Sequence, residues 1–170
     1  MSPIKAHTIR SKNGPLRVLV SQVAIMTPFL GDPALLAQAP LRGSFHGIWD
    51  TGASGTVITQ NVVQQLGLQP TGQKQVNAAN GVYIANTYLV NVVLPSDIHV
   101  QHVEVTEGQL GGADVLIGMD IITLGDFSIT NMGGTTVMSF RTPSCAEVDF
   151  VQRVQEKNRS LLRKRPKKHR

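Results

Sequence analysis

Short runs of β-branched and apolar residues, each broken by glycine, proline or asparagine before it reaches helical length, leave this chain little to fold into but a sheet. LRVLVSQVAIM at 16–26 and LRGSFHGIW at 41–49 read as strands. Between them, residues 27–40 hold three prolines and one glycine and read as a long loop with one helical turn at 34–38. TVITQNVVQQLGL, from 56, gives a short strand and then a helix from Gln60 that stops at Gly67. Residues 74–95 read as a projecting hairpin turning at Asn80-Gly81, a dipeptide suited to the positive φ angles of a type I′ turn. In 98–107, Ile98, Val100, Val103 and Val105 alternate with polar neighbours, and the phase slips at Gln101-His102 as a bulge would make it slip. A buried strand, a helical turn after Gly118 and another strand follow over 114–131, and TTVMSF at 135–140 closes the sheet.

The 170 residues are 41% hydrophobic, enough for one domain with a real core. Cys145 is the single cysteine, so an internal disulfide is excluded and a reducing compartment is expected. No apolar stretch approaches the roughly 18 residues of a membrane span, and the N-terminus lacks the pattern of a secretory signal, so no transmembrane segment and a cytoplasmic location are expected. The net charge of +5 is unevenly placed: residues 153–170 carry nine Lys or Arg against one acid, Glu156, which leaves the rest of the chain at −3. That ending fits either a solvated tail or a weak contact of residues 153–170 with nucleic acid or another acidic surface.

Asp50 follows an apolar strand and opens a turn of small and hydroxyl residues, Asp50-Thr51-Gly52-Ala53-Ser54. Gly52 lets backbone N–H groups approach its carboxylate, which fixes the acid in place. One acid is nonetheless a poor peptide hydrolase, because attack by water needs a base and an acid at the same bond. Two carboxylates about 3 Å apart solve this, since they cannot both ionise and one proton is shared.

The D-T-G-A-S stretch, preceded by Ile48 and Trp49, and the later Leu116-Ile117-Gly118-Met119-Asp120 resemble the retropepsin-like aspartic proteases, over about residues 15–141. The resemblance implies a mostly β, closed-barrel domain with one or two short helices and no cofactor or metal. Residues 1–14 are then an N-terminal extension, 142–162 a C-terminal helix and 163–170 a basic tail. With one D-T-G per chain, it implies a homodimer whose two Asp50 residues form the catalytic dyad and cleave an extended polypeptide. Thr51, Gly52, Ala53 and Ser54 are implied supports of the dyad, with Thr51 bonding across the two-fold axis. Ala78, Ala79, Asn80 and Gly81 would form the flap over the substrate. Leu116, Ile117, Gly118 and Asp120 carry the family's second motif. Retroviral members often place a charged residue at the Ser54 position and an arginine at the Met119 position, so this chain sits closer to cellular and bacterial members. Ala53 replaces the hydroxyl residue of the pepsins, removing one donor to the ionised dyad, so activity is expected at mildly acidic to neutral pH.

Other residues have plainer roles. Asp120 is expected to anchor the turn after Gly118, Asp114 and Asp126 to be surface acids, and Trp49 to be core. His99 and His102, three apart, face opposite sides of a strand and make no metal pair. Ser144 and Glu147 form a capping box for a helix from about Cys145 to Leu162, with Val148, Val151 and Val154 as a stripe packed on the sheet or on a second copy. Two rival functions remain: a non-catalytic dimerisation or peptide-binding module, and a nucleic-acid-associated protein acting through its tail.

Overall fold

The computed structural model describes residues 3–28, 42–78 and 81–163. Ten strands and three helices run in the order β1 (Lys5–Arg10), β2 (Val20–Met26), β3 (Arg42–Trp49), β4 (Val57–Ile58), α1 (Gln60–Leu66), β5 (Gly72–Ala78), β6 (Gly81–Leu94), β7 (Ile98–Glu107), β8 (Val115–Ile117), α2 (Met119–Ile122), β9 (Asp126–Thr130), β10 (Val137–Thr142) and α3 (Phe150–Arg163). The larger sheet runs β2-β3-β8-β4-β7-β6-β5, and β2 also pairs with β6. That extra pairing closes six strands into a barrel and leaves β5 outside it, as the free arm of the β5–β6 hairpin. The fold is mostly β and closed, as the resemblance implies. A second sheet, β1-β10-β9, stands beside the barrel.

Alternation explains the core. Val23 and Ile25 from β2, Phe45 and Trp49 from β3, Val90 and Val92 from β6 and Val103 and Val105 from β7 turn inward and are buried. Trp49 lies 5.6 Å from the Phe127 ring and 5.2 Å from that of Phe140, tying the barrel to the second sheet. Helix α1 ends where Gly67 adopts φ 58°, and buries Val62 and Leu66. The bulge foreseen at Gln101-His102 is present: register shifts opposite Val90 and Val92, His102 takes φ 55°, and its N–H donates to Asn91 Oδ1 at 2.9 Å.

Several expectations change. The strand read from Leu16 begins only at Val20, because the Leu16 N–H is taken by Thr136 Oγ1 at 2.9 Å, outside the ladder. Residues 5–10, expected as part of an extension, form β1 against β10, where the charged ends of KAHTIR suit an edge strand. The hairpin pairs Ala78 with Gly81, so Gly81 (φ 126°) belongs to the strand, one residue past the turn as read. Ala79, Asn80, the helical turn expected at 34–38 and the tail from 164 lie outside the described residues.

The C-terminal helix begins at Phe150, not near Cys145. Asp126 explains the delay: it accepts from Ser144 Oγ at 2.5 Å and from the Cys145 and Ala146 N–H groups at 2.9 and 3.2 Å, so the supposed cap is engaged elsewhere. Asp149 caps instead, accepting from the Val151 and Gln152 N–H groups at 2.8 and 3.1 Å. Asp126 is thus an organising residue. Among the described residues, no helix is long and apolar enough to cross a membrane.

Candidate active site

Strand β8 lies between β3 and β4, parallel to the first and antiparallel to the second. The chain leaving β3 at Trp49 must therefore pass over the end of β8 before returning as β4. Asp50 to Thr56 form that passage. Its first peptide is held by the Asp50 N–H donating to Ile117 O at 3.0 Å, and its middle by the Met119 N–H donating to Ala53 O at 2.8 Å.

At the far end, Asp120 grips Thr56 twice. Its Oδ2 accepts from the Thr56 N–H at 2.9 Å and its Oδ1 from Thr56 Oγ1 at 2.8 Å, while the same hydroxyl accepts from the Gly118 N–H at 3.3 Å. Thr56 is 1% exposed, so these bonds are shielded from water. Gly118 must lack a side chain, since a Cβ there would sit 2.5 Å from the Gly55 carbonyl carbon and oxygen. Asp120 was expected to anchor the turn after Gly118; it also secures the acid loop, with Thr56 as a partner the sequence reading missed. The signal was a hydroxyl residue one position before an inward-facing strand.

The carboxylate itself is held lightly. Asp50 is half-buried and its Oδ1 accepts from the Gly52 N–H at 2.8 Å. Thr51, Gly52 and Ser54 are exposed at the apex of the loop and Ala53 is half-buried. Leu116 and Ile117 are buried beneath. Behind the acid, Trp49 Nε1 donates to Ser21 Oγ at 2.8 Å, and that hydroxyl lies 3.3 Å from His7 Nε2. Burial lowers the His7 pKa, which favours a neutral ring in this chain of contacts.

The hairpin exposes Val82, Tyr83 and Ile84, and β6 residues 81–86 border a cavity of about 580 Å³ together with Gln60, Glu107, Gly108 and Gln109. Tyr88 Oη donates to Glu107 Oε2 at 2.7 Å, and burial together with that carboxylate raises the tyrosine's pKa. A Cβ on Gly108 would meet Val57 Cγ1 at 2.7 Å and Tyr83 Oη at 3.7 Å, so the stem of the hairpin leans over β4 next to the acid loop. Among the described residues, no three His, Cys, Asp or Glu side chains converge as metal ligands. His99 instead contacts Asp97 at 2.5 Å.

The D-T-G loop thus crosses the parallel β3–β8 pair and is backed by an apolar-apolar-Gly strand, the two motifs that carry the resemblance to aspartic proteases. Residues 42–123 match the family model described as "gag-polyprotein putative aspartyl protease". Among solved structures, the chain is similar to a retropepsin-like aspartic protease from Rickettsia conorii, with 15% identity and a TM-score of 0.46 over 84% of this chain and 98% of that one. No curated protein sequence matches it.

Proposed function

We propose that the protein is an aspartic endopeptidase that acts as a homodimer, with Asp50 of each copy forming the dyad. The observation that carries this reading is the braced acid loop: one carboxylate per chain, half-buried, at an apex whose Thr51 and Gly52 are exposed. A loop so firmly tied to β8 offers its tip to a second copy, and a two-fold axis there sets two Asp50 carboxylates face to face. Thr51 of each copy then bonds across the axis, and Ala53 and Ser54 complete the wall.

Chemistry follows from the shared proton. The ionised Asp50 takes a proton from water as its oxygen attacks the scissile carbonyl carbon; the protonated Asp50 donates to the carbonyl oxygen. The resulting tetrahedral diol collapses when a proton reaches the amide nitrogen and the C–N bond breaks, releasing an amine and a carboxylic acid. The β5–β6 hairpin, whose strands pair as far as Ala78 and Gly81, serves as the flap that excludes water and adds strand-like hydrogen bonds to an extended substrate.

Cleavage of a peptide library by wild type and Asp50→Asn, read at several protein concentrations beside sedimentation, tests this reading. Wild-type turnover per subunit rises with concentration, and the variant loses about 10²- to 10⁴-fold. A sedimenting dimer that cuts nothing would leave a peptide-binding or dimerisation module in its place.

A further inference from the structure

After Thr142 the chain leaves the sheet, and every residue from 143 to 161 is exposed. Helix α3 nevertheless has a sided surface. Phe150, Val151, Val154 and Leu161 are 67, 66, 55 and 56% exposed. At about 100° per residue, Phe150, Val154 and Leu161 fall within roughly 40° of one another and Val151 borders them. Gln152, Glu156 and Arg159 lie opposite, and Arg153 and Lys157 edge the stripe. A 14-residue helix that buries none of its residues through Leu161 is marginal in water, so a surface that covers the stripe would hold it.

The charge distribution selects the occupant. From Arg153 to Arg170 there are nine Lys or Arg and one Glu. A second copy of α3 would bring two such stretches together and be repelled. Nucleic acid would satisfy the bases but leave the apolar stripe in water. An anionic bilayer surface uses both, with the stripe at the acyl boundary and the bases among the headgroups. We infer that α3 docks the protein in plane on an anionic lipid surface. The helix lies on the bilayer and does not cross it. This docking does not depend on the peptidase reading.

Flotation of the full chain with phosphatidylcholine vesicles, alone or mixed with phosphatidylglycerol, tests the inference. Binding is expected only to the mixed vesicles. The pair Val151→Asp and Val154→Asp should weaken it about tenfold or more, and each of Arg153→Gln and Lys157→Gln about fivefold. None of these side chains is buried in the barrel, so Trp49 emission should stay unchanged in every variant and report an intact fold. Absence of flotation at low salt overturns the inference. So does binding that ignores the Val151 and Val154 substitutions while RNA competes for it, which would mark a polyanion contact. Stripe-dependent self-association without vesicle binding also overturns it.

Discussion

Asp120 holds Thr56 with both carboxylate oxygens, one on the backbone N–H at 2.9 Å and one on the hydroxyl at 2.8 Å, across a sequence separation of 64. The two residues join α2, which follows the strand behind the acid loop, to the loop's far end. Asp120→Ala leaves the shielded Thr56 N–H and the hydroxyl's own proton without an acceptor and should cost about 2–4 kcal/mol. Asp120→Asn keeps an acceptor for the N–H and should cost less. Thermal melts of both variants, beside peptide turnover, check the order.

Gly118 and Gly55 make a matched pair of substitutions. A Cβ at Gly118 meets the Gly55 carbonyl at 2.5 Å, whereas a Cβ at Gly55 meets nothing within 4 Å. Gly118→Ala should therefore destabilise by about 1–3 kcal/mol and shift the acid loop, while Gly55→Ala should stay within about 0.5 kcal/mol. Equal denaturant midpoints for the two would contradict the geometry.

Ser21 accepts the Trp49 indole N–H. Ser21→Ala strands that donor in the core and should cost about 1–3 kcal/mol. Trp49 is the only tryptophan and adjoins Asp50, so its fluorescence reads the same region directly. A shift in the emission of Ser21→Ala is expected before any global unfolding.

Acid should loosen the C-terminal segment in a defined way. The Ser144 hydroxyl, then the Cys145 N–H, then the Arg141 guanidinium hold the Asp126 carboxyl well below its usual 3.8. A folded pKa below the unfolded one gives stability that is present above pH 3.8 and lost as pH falls through the folded value. Amide exchange at Cys145 and Ala146 should therefore accelerate in strong acid. Asp126→Asn should show that acceleration already at neutral pH. His7, lowered from 6.5 by burial, gives stability that is full above that pH and begins to fade just below it. His7→Gln removes this earlier phase alone.

Much of the barrel was legible because its strands alternate cleanly: Val103 and Val105 are buried where the pattern put them, and the slip at His102 is a real bulge. The acid turn was legible because few residue types suit a carboxylate beside a glycine turn. Less visible were features decided by distant partners. Ser144-x-x-Glu147 has the local form of a helix start, but Asp126 captures Ser144 first and the helix begins at Phe150, capped by Asp149. Lys5–Arg10 has too weak an apolar pattern to announce a strand until β10 supplies its other side. The Thr56–Asp120 grip spans the two motifs, and neither motif alone names its partner.

A loop braced wholly from within its own fold, by Ile117, Gly118 and Asp120, does not wait for a partner in order to take shape. In the proposed homodimer each copy would bring a finished half, and little ordering entropy would be lost at the acids when the two meet. Surface changes far from Asp50 can then strengthen or loosen pairing without disturbing the chemistry. Under that proposal the supply of chains, more than any change of shape, would govern when the peptidase acts.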